Sequence, residues 1–319
     1  VRESVLKLLA CPACQAADWS VTIQVRDALE IREGELRCRT CASRLPIRQG
    51  VVHALPAVPP KVAAEIQGWI ELLDVPEKQY EFRDEWILAL PFLQAAQTPD
   101  RESIQIWRAM GQHVFSLLDR FAWQGQRVLE IGAGRCWVVA ELARRGAAAV
   151  GLDILTHKYL GLETADIWMA AQPGLYFERV LGDMNDLPFQ PEVFDFVIAT
   201  ASLHHTETLE QAMREAARVI RPQGHLLLIN EPLVLISGAR PDLSQSPEVL
   251  HHIIETRPTY NEWTSAFEAA QLGIQQIHFA DGLHVALKKG VPHAGLRRFR
   301  VGRQAEAWIK TAWSVFQEK

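Results

Sequence analysis

Val128-Leu129-Glu130-Ile131-Gly132-Ala133-Gly134 is an apolar strand running into a two-glycine turn, and the helix-like segment Trp137–Arg145 follows it. Glycine tolerates positive φ and lets a ligand come close to the backbone. In an open α/β sheet that approach takes place beyond the carboxyl ends of the strands. A second short apolar segment, Ala148–Leu152, leads into Asp153, whose carboxylate can accept from both hydroxyls of a ribose. A nucleoside ligand is implied. A dinucleotide site would carry a third glycine three residues after Gly134; Trp137 stands there instead, so a nicotinamide cofactor loses ground.

Outward from this stretch, Arg127–Ile131, Ala148–Leu152, Phe177–Leu181, Phe194–Thr200 and His225–Asn230 are short apolar strands alternating with helices. Two more strands are expected at Ile274–Ala280 and His284–Lys288, joined by the hairpin-type pair Asp281-Gly282. The alternation predicts a doubly wound α/β sheet with a parallel core and an antiparallel edge. Upstream, Ile66, Ile70 and Leu73, then Ile104, Trp107, Phe115 and Leu118, repeat at helical spacing. Leu55-Pro56-Ala57-Val58-Pro59-Pro60 reads as a stiff connector. The expected division is a short-strand unit over 1–55, a helical region over 61–125 that covers a substrate site, a nucleoside-binding domain over 126–290, and a basic tail over 291–319 ending in an amphipathic helix.

Four of the five cysteines form two CxxC pairs, Cys11 with Cys14 and Cys38 with Cys41. The first fifty-odd residues hold too little apolar material to fold unaided, and four thiolates on two tight turns suit tetrahedral Zn²⁺. Such a site has no open coordination position, so the zinc is expected to be structural. With 319 residues, 48% of them hydrophobic, the chain can bury one substantial core and a smaller unit. No apolar run reaches the length of a membrane span, and the N-terminus lacks the basic-then-apolar pattern of a secretion signal, so a cytoplasmic protein without membrane attachment is expected. A net charge of −5 gives no global drive toward nucleic acid.

The blocks Leu181-Gly182-Asp183-Met184-Asn185-Asp186-Leu187-Pro188-Phe189, Phe194-Asp195-Phe196-Val197-Ile198-Ala199 and Arg218-Val219-Ile220-Arg221-Pro222-Gln223-Gly224-His225 follow in order. With the glycine turn, they make the chain resemble the class I S-adenosylmethionine (SAM)-dependent methyltransferases from about Gln126 to Lys289, especially the small-molecule branch that includes quinone-biosynthesis enzymes. The resemblance implies a Rossmann-type seven-stranded α/β sheet. It implies that Glu130, Gly132, Ala133 and Gly134 shape the methionine end of a SAM site and that Asp153 holds the ribose. It further implies that Asp183 accepts from the adenine amino group beside the Met184 backbone, and that Ala199 and Thr200 flank the cofactor. The family often has a glycine where this chain has Cys136, which bears on the loop's shape. Leu8-Leu9-Ala10-Cys11-Pro12-Ala13-Cys14 and the text from Cys38 to Val51 resemble the small zinc-ribbon proteins that activate tRNA and ribosomal methyltransferases, with Leu45 where that family commonly has an aromatic.

Methyl transfer is an in-line displacement, so the protein must align the acceptor and, where needed, remove a proton. Ala199-Thr200-Ala201-Ser202-Leu203-His204-His205 lacks the Asn/Asp-Pro-Pro-aromatic signature of amino-methylating nucleic-acid enzymes, and lacks a cysteine for attack on a pyrimidine. His204 is the candidate general base, against the alternative that both histidines merely cap or pack. The stretch from Glu231 to Tyr260 reads as a lid, with His251, His252, Arg257 and Tyr260 as candidates to meet an acceptor. The leading reading is methylation of a small molecule at oxygen, nitrogen or carbon. The second is RNA methylation guided by the ribbon, supported by Arg37, Arg39, Arg44 and Arg48 together with Arg297, Arg298, Arg300 and Arg303. A third is a non-catalytic binding module. The ribbon's own contact is RNA, a protein partner, or its own catalytic domain.

Overall fold

The computed structural model describes residues 1–55, 57–206, 208–234, 241–279, 284–285 and 309–317, the last stretches, from 276 on, as backbone. Four short antiparallel strands open the chain: β1 (Trp19–Arg26), β2 (Ile31–Cys38), β3 (Arg44–Arg48) and β4 (Val51–His53). Its two CxxC turns are built alike. Gln15 and Ala42, each just after a second cysteine, take left-handed φ values of 60° and 63° and donate their amides to the carbonyls of Cys11 and Cys38.

Helices α1 (Pro60–Leu73), α2 (Asp84–Leu88) and α3 (Arg101–Leu118) follow, with a tight helical turn at Pro76–Glu81. Asp100 caps α3 by accepting from the Glu102 amide. The alternating region then runs β5 (Arg127–Ile131), α4 (Trp137–Arg144), β6 (Ala148–Asp153), α5 (Ala165–Ala171), β7 (Glu178–Leu181), β8 (Phe194–Thr200), α6 (Leu209–Val219) and β9 (Ile220–Leu233). After it come α7 (Pro247–Leu250), α8 (Tyr260–Ala269), β10 (Leu272–Phe279), β11 (His284–Val285) and β12 (Ile309–Gln317).

All twelve strands form one sheet in the order β1-β2-β3-β4-β7-β6-β5-β8-β9-β12-β10-β11. The seven from β7 to β10 make the Rossmann-type methyltransferase arrangement, in which β12 runs antiparallel to β9 and β10. The sheet is larger than the expected seven strands because the ribbon adds four and β11 adds a short edge. The ribbon joins through β4, which pairs in parallel with β7 at Val52–Val180 and His53–Leu181. Its apolar side chains Leu9, Ile31, Leu36 and Leu45 share one core with Val180, Phe189 and Phe194. Helices α6 and α8 pack on that face, and α2, α3, α4 and α5 on the other.

One expectation at the carboxyl end needs correction. The tail over 291–319 was expected to end in an amphipathic helix; where the structure describes it, Ile309–Gln317 is a strand. Thr311, Trp313 and Val315 are β-branched or aromatic residues alternating with shorter ones, a pattern that fits a pleated strand. The slot between β9 and β10 supplies hydrogen-bonding edges on both sides. The expected hairpin is present as β10 and β11, paired at Ile277–Val285 and His278–His284, while its Asp281-Gly282 turn lies outside the described residues. Among the described residues no helix is long and apolar enough to cross a membrane.

Candidate active site and zinc site

Strand order reverses at β5, which lies between β6 and β8, and the crevice beyond the strand ends there is where open α/β sheets take ligands. Ile131 pairs with Leu152 and with Ala199, and Asp153 with Leu181. The register therefore brings the glycine turn, Asp153, Asp183 and Ala199 to one edge.

The turn itself is shaped for close approach. Gly132 has φ 70°, and a Cβ there would meet the Ser202 side chain at 2.4 Å. Gly134 has φ 45° and faces open space, with nothing within 4 Å of where a Cβ would be. Cys136 adopts φ 61°, the left-handed conformation that glycine takes without strain, so the loop keeps its shape at the cost of some strain at a non-glycine residue. Its thiol is fully buried against the core beneath α4. Arg135 is held from both sides: its guanidinium pairs with Glu81 at 2.6 Å, and its carbonyl accepts from the Trp168 indole at 2.9 Å.

Three carboxylates line this edge. Asp153 accepts from the amides of Gly134 at 2.7 Å and Leu155 at 2.9 Å, and burial raises its carboxyl to about 6. Glu130 is 2% exposed, and burial pushes its carboxyl well above the usual range. Its Oε2 has no hydrogen-bond partner. Asp183 accepts from both the amide and the side-chain nitrogen of Asn185, which fixes the tight turn Asp183–Asp186. Met184 is half-buried against the core, and Ala199 is fully buried at the end of β8.

Beyond β8, Ser202 donates its hydroxyl to the Ile131 carbonyl, and the single helical turn Leu203–His205 follows. Glu231, wholly buried in β9, accepts from the amides of Ser202, Leu203 and His204. Glu231 Oε2 also lies 2.8 Å from His204 Nδ1. A carboxylate accepts only, so Nδ1 carries the proton and Nε2 is left basic. Sequence reasoning used Glu231 only to mark the start of a lid. The available signal was an acid directly after an apolar strand, the same signal that singled out Asp153.

The segment from 251 to 257 folds over this turn. Thr256 donates its amide and hydroxyl to the His204 carbonyl, and Glu255 Oε2 stands 3.6 Å from His204 Nε2. His205 lies 2.6 Å from the Ile254 carbonyl and edge-on to Trp69 of α1; burial lowers its pKa to about 3, so it stays neutral. His204, His205 and Glu255 could together hold a metal ion, but Arg257 sits on Glu255 and already balances its charge. Of the acceptor candidates in this segment, Arg257 is thus engaged with Glu255, His251 faces Glu71 at 3.8 Å, and the Tyr260 amide bonds Val234.

The four ribbon cysteines converge. Sγ of Cys11 and Cys41 are 3.6 Å apart, and those of Cys14 and Cys38 are 3.7 Å apart. Tetrahedral zinc with bonds of about 2.3 Å requires sulfurs about 3.8 Å apart, far beyond a disulfide, so the set fits zinc. Of the arginines read as a basic face, Arg39 and Arg44 pair with Asp18 and Glu35, and Arg297, Arg298, Arg300 and Arg303 lie outside the described residues. A cavity of about 350 Å³ lined by Arg2, Arg127, Tyr176 and Glu178 opens at the opposite, amino edge of β5 to β7 and contains none of the site residues.

Residues 129–228 match the methyltransferase domain family. This part of the chain is a methyltransferase domain. Residues 2–50 match the Trm112p-like protein family, so the zinc-ribbon unit is of that kind. The chain is 36% identical over 104 residues to demethylmenaquinone methyltransferase of Mycobacterium bovis, a match covering 33% of this chain and 40% of the relative. It is 31% identical over 162 residues to phthiotriol/phenolphthiotriol dimycocerosates methyltransferase 1 of Mycobacterium ulcerans, covering 49% and 54%. The chain thus spans about half or less of the length of these curated relatives. Magnesium protoporphyrin IX methyltransferase of Synechocystis PCC 6803, crystallised with SAM, shares the fold at 13% identity with a TM-score of 0.50, over 79% of this chain and 97% of that one.

Proposed function

We propose that the chain binds SAM at the carboxyl edge of β5 to β8 and transfers its methyl group to a small-molecule acceptor, releasing S-adenosylhomocysteine. The orphaned carboxylate oxygen of Glu130 carries the reading. A buried acceptor without a partner is costly, and the α-ammonium of a methionine moiety is the cation that would complete it. Around it, Gly132, Ala133 and the open face of Gly134 admit the ligand, Asp153 takes the ribose hydroxyls, and Asp183 with the Met184 backbone takes the adenine edge. Ala199 keeps the strand end small. SAM held there supplies an electrophilic sulfonium methyl.

The chain's own chemistry is then orientation and proton removal. His204 Nε2 accepts the acceptor's proton, Glu231 fixes the tautomer and stabilises the imidazolium that results, and the 251–257 segment excludes water above them. The four cysteine thiolates hold structural zinc. The names of the curated relatives, a quinone and a lipid methyltransferase, support a small-molecule acceptor.

Calorimetric titration of the zinc-loaded chain with SAM and S-adenosylhomocysteine tests this directly. Binding of both ligands is expected, weakened about 10–100-fold in Asp153→Ala through loss of hydrogen bonds to a charged acceptor. A folded wild-type chain that binds neither ligand would overturn the reading and leave a non-catalytic module.

A further inference from the structure

A second group of buried polar atoms lies on the α3 face of the sheet, the face that Glu130 shares through its strand partner Ile198. Opposite Thr311 and Ala312 of β12, β9 carries one extra residue: Thr311 pairs with Glu231 and Ala312 with Ile229, which leaves Asn230 unpaired at φ 58°. Bulges of this kind re-aim side chains and are frequent beside active sites. Ile229 already faces the core beneath α3, and regular alternation would turn Asn230 the other way. The bulge swings Asn230 back, so that its Oδ1 meets His113 Nδ1 of α3 at 2.9 Å. Thr200, paired with Ile229 at the end of β8, lies beside it and shares the face of Ile198.

Three atoms here are buried without a hydrogen-bond partner: Asn230 Nδ2, His113 Nε2 and Thr200 Oγ1. Asn230 is only 4% exposed. Native interiors seldom leave such groups unmatched, and three near one another call for a shared polar partner. Asn230 Oδ1 accepts only, so His113 Nδ1 is protonated and Nε2 is a bare acceptor; burial also lowers the His113 pKa and keeps it neutral. The group thus offers a donor (Nδ2), an acceptor (Nε2) and a hydroxyl that serves as either. A carboxylate would meet the lone pair of Nε2, and a ketone would leave Nε2 with no proton to accept. A hydroxyl satisfies both.

An aromatic cluster lies further along α3. Trp107, six residues before His113, lies edge-on to Trp137 at 6.4 Å and to Trp86 at 5.8 Å. Trp137 opens α4 three residues after Gly134, which puts the indoles beside the glycine turn.

We infer that Asn230, His113 and Thr200 form an acceptor subsite that anchors a neutral hydroxyl on an aromatic ring, a phenol or a quinol in place of a quinone or a carboxylate. This rests on the methyl-transfer reading, and the experiment separates the two. The full chain, saturated with S-adenosylhomocysteine, is titrated calorimetrically with 2-naphthol and with its ether 2-methoxynaphthalene. The hydroxyl compound is expected to bind at least about tenfold more tightly, since a site built to hydrogen-bond a hydroxyl rejects the analogue lacking its proton. In His113→Phe and in Asn230→Asp, which removes the Nδ2 donor and tolerates the left-handed backbone, that preference falls, while S-adenosylhomocysteine still binds, which shows both variants folded. Failure to bind S-adenosylhomocysteine in the wild type sinks the methyl-transfer reading. Binding of that ligand with no 2-naphthol bound, or with both probes bound equally, overturns the hydroxyl subsite alone.

Discussion

At the scale of single residues, the site works by contrast between carboxylates. Asp153 is held by two amides yet raised to about 6 by burial, so its charged form predominates above that pH and is lost as pH falls through it. Ribose hydroxyls donate to the charged form. Affinity for SAM is therefore expected to hold at pH 7–8 and to fall with a midpoint near pH 6, a component absent from Asp153→Ala; calorimetry across pH 5–8 checks it. Glu231 acts through His204. Replacing it by glutamine keeps the volume but lets the amide donate to Nδ1, which moves the proton to Nε2 and removes the base. Glu231→Gln and His204→Gln should each lower kcat about 10²–10⁴-fold, with SAM affinity little changed, and single-turnover transfer to an acceptor that must lose a proton measures it. A kcat unchanged in both would reduce the pair to a structural turn. Asp153 was legible because an acid after an apolar strand has a known use; Glu231 carried the same signal, but the way that it and Asn230 point was not legible. Their directions depend on a bulge opposite β12, and sequence alternation does not show where a strand gains a residue.

At the scale of elements, the strands whose boundaries could be read are those buried on both faces. Arg127–Ile131 and Phe194–Thr200 are nearly unbroken apolar runs with glycine or polar residues at their ends, and the structure gives those limits. The ends of the sheet were harder. Ile309–Gln317 is short, polar at intervals and preceded by a basic stretch, so local pattern admits a helix, and only the slot between β9 and β10 makes it a strand. The cysteine turns were legible from spacing alone, but the partner of β4 was not, since a three-residue strand carries little signal. Those turns give a prediction at this scale. The purified chain should contain one zinc by elemental analysis, and Cys14→Ser, at an exposed ligand, should lose it. Because the ribbon's apolar residues share a core with β7 and β8, chelation should lower the melting temperature of the methyltransferase domain as well as the ribbon's.

At the scale of the whole molecule, ribbon and catalytic sheet are joined by backbone pairing, a shared core and a buried ionic cluster. Arg179 on β7 is wholly buried, pairs with Glu30 of the ribbon, and reaches Asp166 of α5 at 3.0 Å. Arg32 of β2 bridges the same two acids, at 2.8 Å and 2.7 Å. One cluster therefore ties β2, the turn before it, β7 and α5 together, on the strand that leads into Asp183. Removing one partner of a buried pair leaves a charge without compensation and costs about 3–5 kcal/mol; Arg32 still reaches Glu30, which places Arg179→Met near the lower end of that range. The consequence depends on whether the two units unfold together. If they do, urea denaturation of Arg179→Met followed by near-ultraviolet signal and by zinc release gives coincident transitions, both at lower urea than wild type, and SAM affinity below the transition is unchanged. Zinc release preceding loss of the tertiary signal would instead mean that the ribbon detaches from a sheet that stands without it, and that its pairing through β4 is docking and not part of a single folding unit.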